Sequence, residues 1–211
     1  MSVLDTIFEN SIIAIARGFD ADELIPATKA LYAGGIRAFE VTFEHGKDLG
    51  RTAECIVRLA ESMSDDCVIG AGTVLTAEEV RLAKSSGASF IISPNTAGEV
   101  ISETKRLGMV SIPGAMTPSE IVAAHSFGAD IVKVFPAGIL GIEYFKAIRA
   151  PLSHIPMAAV AGITLDNIAA FKSAGAVAFG ISSSLYNAEA IRSGSFEKLT
   201  CLAEAFISKI K

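Results

Sequence analysis

Cysteine and histidine are scarce in this chain, and positive charge is outnumbered. The three cysteines, Cys55, Cys67 and Cys201, form no CxxC pair, and an odd count builds no disulfide framework. That usage predicts a reducing, cytoplasmic compartment. The three histidines, His45, His125 and His154, share no ligand spacing. No metal site is therefore expected, and each is read as a solvated or capping side chain. Lys and Arg number 18 against 23 Asp and Glu, giving a net charge of −5 and a pI near 5.3. With no basic block, neither nucleic acid nor an anionic membrane is an expected partner. The opening "MSVLDTIFEN" carries acids and lacks a long apolar run, so it reads as a short helix rather than a signal peptide or membrane span. P-loop and GxSxG motifs are missing, as is a GxGxxG after the first strand-like run.

What the chain has in quantity is short apolar runs, within a composition that is 51% hydrophobic. Eight recur: "SIIAIARG", "AFEVTFE", "CVIGAGTV", "FIISPN", "VSIPGA", "IVKVFPAG", "MAAVAGIT" and "AVAFGISS". Each is too short for a helix, and several are apolar throughout, as strands covered on both faces should be. Amphipathic stretches separate them. These end in glycine (Gly34 or Gly35, Gly87, Gly108, Gly128 and Gly175), the residue that terminates helices in the left-handed conformation. They begin at capping boxes: Asp20 with Glu23, Thr76 with Glu79, Thr96 with Glu99, and Thr117 with Glu120 followed by Pro118. Eight such units without a linker predict an α/β fold in which residues 1–211 form a single (β/α)8 barrel with a short N-terminal helix. A doubly wound open sheet is the rival.

Alternate strand residues point into a barrel, and active sites sit at the C-terminal ends of its strands. Around Lys133 this places Ile131, Lys133 and Phe135 inside and Val132 and Val134 outside. The second strand offers Ala38, Glu40 and Thr42, the first Ile13, Ile15 and Arg17, and the third Ile69, Ala71 and Thr73. Three charged groups, Lys133, Glu40 and Arg17, thus converge from three strands. A structural ion cluster is the bland reading. Buried ion networks seldom outdo apolar packing, which favours a functional one.

The segments "AGGIRAFEVTF", "IGAGTVLTAEEV", "FIISPN", "IPGAMTPSE", "KVFPAG" and "AGIT" stand in an order and spacing that carry a resemblance. From about Ile12 to Tyr186 the chain resembles the class I aldolases that split 2-keto-3-deoxy-6-phosphogluconate, or 4-hydroxy-2-ketoglutarate, to pyruvate and an aldehyde. The resemblance implies that Lys133 forms the Schiff base, Glu40 is the acid/base, Thr73 contacts substrate, and Pro94 and Phe135 line the pocket. It also places Arg17 against the keto-acid carboxylate and implies a homotrimer with no metal or organic cofactor. Apolar Val3, Leu4, Ile7 and Phe8 offer a surface for association, or a plug for the barrel. Three positions depart from the pattern. Glu44 stands where members acting on phosphorylated sugar acids often have arginine. Ala161-Gly162 replaces the usual Gly-Gly, and Ser182-Ser183 the usual Gly-Ser. The expectation is weak handling of a phosphorylated substrate and a preference for an unphosphorylated 2-keto acid, unless amides at a helix start after "SSS" hold the phosphate. Two other readings stay open: a phosphate-binding epimerase or synthase in which Lys133 is only a charge, and a non-catalytic degenerate paralogue.

Overall fold

The apolar runs become parallel strands, in a computed structural model that describes residues Met1–Lys211. In chain order they are β1 (Ile12–Ala16), β2 (Ala38–Thr42), β3 (Val68–Gly72), β4 (Phe90–Ile92), β5 (Val110–Ile112), β6 (Gly114–Ala115), β7 (Val132–Val134), β8 (Met157–Val160) and β9 (Ala178–Ile181). The sheet order is β5-β4-β3-β2-β1-β9-β8-β7-β6. Its two ends belong to one run of chain, Val110–Ala115, divided at Pro113. Proline has no N–H to give to a ladder, so the expected fifth strand splits in two. Its carbonyl still accepts the Lys133 N–H at 2.8 Å, and the barrel closes through it. Eight β/α units thus appear as nine strands, and the open-sheet rival is excluded.

Two apolar layers hold the barrel. A cluster of 50 buried residues lies between strands and helices and takes Phe39, Val41, Val132 and Val134. A smaller cluster of 12 fills the inside: Ile13 and Ile15 from β1, Ala38 from β2, Phe90 and Ile92 from β4, then Ile131, Ala158, Val160 and Ala178. Ile7 belongs to this inner cluster, with Val3 and Leu4 packed on it. The N-terminal helix Val3–Asn10, capped by Ser2 and Asp5, therefore plugs the barrel floor. That use removes the argument for association from most of its apolar face: Ile7 is buried and Val3 and Leu4 are half-buried, which leaves Phe8 exposed.

The inward faces of β1, β2 and β7 follow the expected alternation; that of β3 does not. Ile69 and Ala71 face the helices, in the outer cluster, while Val68 packs on the inner one. The inward positions are Gly70 and Gly72. A Cβ on Gly70 would lie 2.3 Å from the Phe90 ring, and one on Gly72 would lie 1.6 Å from Glu40 Oε1. The space a side chain would fill is taken by Phe90 in one layer and by the Glu40 carboxylate in the next.

Helix ends match in most places. Gly35, not Gly34, takes the left-handed conformation, and Gly87, Gly108, Gly128 and Gly175 do likewise. The Thr117–Glu120 box forms in full, and the Asp20–Glu23 box is present. Glu79 accepts from the Leu75 N–H at 2.6 Å rather than from Thr76, so that box forms by half. The Thr96–Glu99 box does not form. Thr96 Oγ1 donates to the Gly114 carbonyl at 2.8 Å instead, and the helix begins at Gly98.

Gly70→Ala should lower stability by about 1–3 kcal/mol through overpacking against Phe90. Denaturant midpoints read this; an unchanged midpoint would show that the ring relaxes freely.

Candidate active site

Lys133 is the middle residue of β7, flanked in register by Gly114 on β6 and Ala158 on β8. Both neighbours are small, so space remains beside the amine. Glu40 sits between Ile15 and Gly70 on β2's neighbours. Side chains of both reach one cavity of about 430 Å³ at the C-terminal ends of the strands, and Arg17 lines it too. The three predicted charges do converge. Lys133 is 7% exposed and Glu40 2%. They form no direct ion pair: neither is among the salt-bridged side chains. Glu40 Oε2 and Thr42 Oγ1, two residues apart on β2, are the buried side-chain polar atoms with no hydrogen-bond partner.

Burial governs how these groups titrate. Loss of water pushes the Glu40 carboxyl up to about 7, against the opposing pull of Lys133 and Arg17. Burial likewise holds the Lys133 amine below the usual lysine range; Glu40 opposes that shift and Arg17 assists it. The Lys133 Nζ stands 4.7 Å from the centroid of the Phe135 ring. An amine biased toward its neutral form is a nucleophile for carbonyl carbon, and a carboxyl titrating near neutrality can both give and take protons.

The remaining wall comes from the loops after β8 and β9: Ala161, Gly162, Ile163, Thr164, Ser182, Ser183 and Ser184. The N–H groups of Gly162, Ile163, Ser182, Ser183 and Ser184 donate to no other group of the chain. Ala161 takes a left-handed backbone, φ 71°, beside Gly162 at φ 74°, a region that glycine enters freely. The anticipated helix does not start directly after "SSS" but at Ala188. Ser182–Tyr186 form a tight turn in which the Leu185 and Tyr186 N–H groups both donate to the Ser182 carbonyl at 2.9 Å. Glu44 lies outside this cavity, ion-paired with Lys47. The repulsion expected from it is not directed at the cavity.

Other placements are mixed. Phe135, Ala161, Gly162, Ser182 and Ser183 line the cavity as expected. Pro94 does not; it follows β4 against the backbone at Gly114. Thr73 does not line it either, but its Oγ1 lies 3.4 Å from Arg17 Nη2 at the rim. Sequence reasoning missed Thr164 and Ser184, whose only signal was a hydroxyl within two residues of a site position.

With this geometry in place, relatives can be compared. The model of the KDPG and KHG aldolase family (2-keto-3-deoxy-6-phosphogluconate and 2-keto-4-hydroxyglutarate) matches residues 3–202. A protein of Rhizobium meliloti (strain 1021) named probable 2-dehydro-3-deoxy-6-phosphogalactonate aldolase is 38% identical over 179 residues, 84% of this chain and 82% of its own. The 2-dehydro-3-deoxy-6-phosphogalactonate aldolase of Escherichia coli (strain K12) is 34% identical, over 93% of this chain and 92% of its own. Among solved structures, a native KDPGal structure superposes with a TM-score of 0.82 at 34% identity, covering 94% of this chain and 93% of that one. The KDPG aldolase of Legionella pneumophila, solved with pyruvate captured as a covalent carbinolamine, gives 0.84 at 25% identity, covering 97% and 98%. The chain belongs to the KDPG and KHG aldolase family. It is an aldolase, a carbon–carbon lyase.

The Glu40 shift sets a sign for stability. The group ionises near 4.5 when unperturbed and near 7 when folded. Between those values the folded state keeps a proton that the unfolded state has released, so the stability contributed by Glu40 is full below about 4.5 and is lost as pH rises through about 7. Glu40→Gln cannot ionise. Its stability relative to the parent should rise between about pH 5 and about pH 8. A constant difference in denaturant midpoints across that range would contradict the raised value.

Proposed function

We propose that this aldolase is of class I and works through a Schiff base on Lys133, with Glu40 as proton shuttle. The observation that carries this is the Lys133 amine, buried, unpaired and held below its ordinary pKa range in a cavity shared with an unpartnered carboxyl oxygen. The neutral amine adds to the C2 ketone of the substrate, giving a carbinolamine. Glu40 donates a proton to the departing hydroxyl, water leaves, and a protonated imine forms. Loss of the C4 hydroxyl proton to a base then breaks the C3–C4 bond. The bond's electrons flow into the imine as an enamine, and an aldehyde departs. Protonation at C3 and hydrolysis return pyruvate and the free amine. A shuttle so placed typically contributes about 10²–10⁴-fold in rate. The carbinolamine captured in the Legionella pneumophila relative supports the first step by analogy.

For the substrate we infer a phosphorylated 2-keto-3-deoxy sugar acid. Two relatives at 38% and 34% identity are named for 2-dehydro-3-deoxy-6-phosphogalactonate. The loops after β8 and β9 line the cavity and hold five N–H groups that donate to no other group of the chain, and such clusters suit an anion. Arg17, which also lines the cavity, would meet the carboxylate. This revises the expectation drawn from Glu44, whose charge is taken up by Lys47. 4-hydroxy-2-ketoglutarate becomes the competitor. Three separate thiols fit a reducing cytoplasm.

We also propose a homotrimer, on family likeness and on exposed apolar side chains such as Ile139, 85% exposed, and Phe127, 50% exposed.

Incubation with pyruvate and borohydride should add one reduced pyruvyl group at Lys133, and none in Lys133→Arg, whose guanidinium cannot deprotonate to attack. An unmodified parent, or residual turnover in Lys133→Arg, would sink the Schiff-base assignment. The phosphorylated acid should exceed 4-hydroxy-2-ketoglutarate in kcat/KM by about tenfold or more, the worth of one charged hydrogen bond. Equal values would return the substrate to the unphosphorylated class. Sedimentation should give a species of three times 22.0 kDa; a monomer at micromolar concentration would remove the trimer.

A further inference from the structure

His45 follows β2 in a loop, where the sequence suggests a solvated or capping side chain. Its ring instead bridges two elements. Nε2 lies 2.9 Å from the carbonyl oxygen of Thr73, and Nδ1 lies 3.5 Å from Glu79 Oε1. A carbonyl only accepts, so Nε2 carries the hydrogen and donates it. Glu79 is itself fixed. Its side chain is 9% exposed, its second oxygen accepts the Leu75 N–H at 2.6 Å, and its own N–H donates to Thr76 Oγ1 at 3.2 Å. The capping glutamate of the helix Ala77–Ser85 attracts the ring when Nδ1 carries a hydrogen as well, in the imidazolium form.

The carbonyl that His45 holds belongs to a strained residue. Thr73 has φ 58°, in the left-handed region that β-branched residues rarely enter. In that conformation its hydroxyl comes within 3.4 Å of Arg17 Nη2 at the cavity rim. The next amide, Val74, donates to the Ile92 carbonyl at 3.3 Å, pinning the far side. Glu79, His45, Thr73 and Arg17 therefore form a continuous chain of contacts from a helix cap to the guanidinium.

We propose that His45 is a positioning residue: it holds the Thr73 backbone in the left-handed conformation that presents the Thr73 hydroxyl to Arg17. The consequence for substrate rests on the reading above, in which Arg17 meets the keto-acid carboxylate. His45 touches no reacting atom, so its loss should weaken capture of the keto acid while leaving the chemical step at Lys133 intact.

Three proteins test this: the parent, His45→Ala, and His45→Gln, whose amide can still donate to the Thr73 carbonyl. Hydrogen exchange at Val74 reads the backbone directly, without any substrate. Losing one hydrogen bond should speed it about 2- to 10-fold in His45→Ala and leave His45→Gln near the parent. The pyruvate concentration that half-saturates borohydride trapping should rise by about the same factor in His45→Ala, with full labelling at saturation, and recover in His45→Gln. Unchanged Val74 exchange in His45→Ala overturns the proposal, as does equal impairment in both variants. A parent that traps no pyruvate removes the Schiff-base reading instead, and the exchange measurement still decides the role of His45.

Discussion

A lysine amine and a glutamate carboxyl share the interior of one barrel without joining in an ion pair, and the rest of the site follows from that restraint. Had Lys133 and Glu40 met at contact distance, each would have locked the other in its charged form, with the amine an ammonium ion and the carboxyl a weak acid far below neutrality. Instead the loss of water dominates both. It raises Glu40 to about 7 and lowers Lys133, while mutual attraction only tempers the two shifts. A charge pair of this kind contributes little to folding, and burying its members unpaired costs stability. The barrel bears that cost with 50 buried residues outside the strands and 12 within.

The restraint is built from what is missing around the two groups. Gly114 and Ala158 flank Lys133, and Gly70 and Gly72 face Glu40 from β3. Methyl groups at Gly72 would occupy the carboxylate's own position, 1.6 Å from Oε1. Small residues thus set both the volume of the cavity and the separation of the charges. Below them, Phe90, Ile92, Ile13 and Ile7 seal the floor against water, which is what keeps the local dielectric low enough for burial to control titration.

This pattern explains which parts of the site were legible in the sequence. Lys133 and Glu40 stood out because a charge amid apolar neighbours must point somewhere useful, and alternation then gave the direction. The third strand gave no such contrast. Both faces of a barrel strand are buried, so Ile69 and Ala71 look equally suited to either, and glycine carries no hydrophobic signal for the face it occupies. Only the bulk of Phe90 and Glu40, on other strands, decides the matter. The Thr96 box failed for a similar reason: Gly114, 18 residues on, took the hydroxyl that the local pattern had assigned to the helix. The turn at Ser182–Tyr186 replaced the expected helix because Asn187 caps the next one, accepting from Ala190 N–H at 2.9 Å. His45 escaped notice because its partners, Thr73 and Glu79, lie 28 and 34 positions away and are brought to it only by β2 and β3 lying side by side.

The cavity meets charge by two means, and the difference bears on specificity. Side-chain charge comes from Arg17 after β1, Glu40 on β2 and Lys133 on β7, on both sides of β8 and β9 in the sheet. Between them the loops after β8 and β9 bring no charge, only hydroxyls and backbone N–H groups. On the function proposed above, a substrate's carboxylate would be matched to the side-chain charges and its phosphate to the N–H groups. Backbone N–H groups are fixed by the fold, so they select by position more than by net charge. That arrangement tolerates Ala161 in place of glycine because the peptide path, not the side chain, supplies the donors, and Ala161 holds that path at φ 71°. A left-handed alanine costs on the order of 1 kcal/mol, and the fold sustains it because the Ala161 carbonyl is pinned by the Gly138 N–H at 2.8 Å. Gly138 lies five residues beyond Lys133 in the same segment of chain. The loop that carries the Gly162 and Ile163 N–H groups and the strand that presents the amine are therefore tied to each other, so the distance from those groups to the amine is set by the backbone rather than by any side chain the substrate must displace.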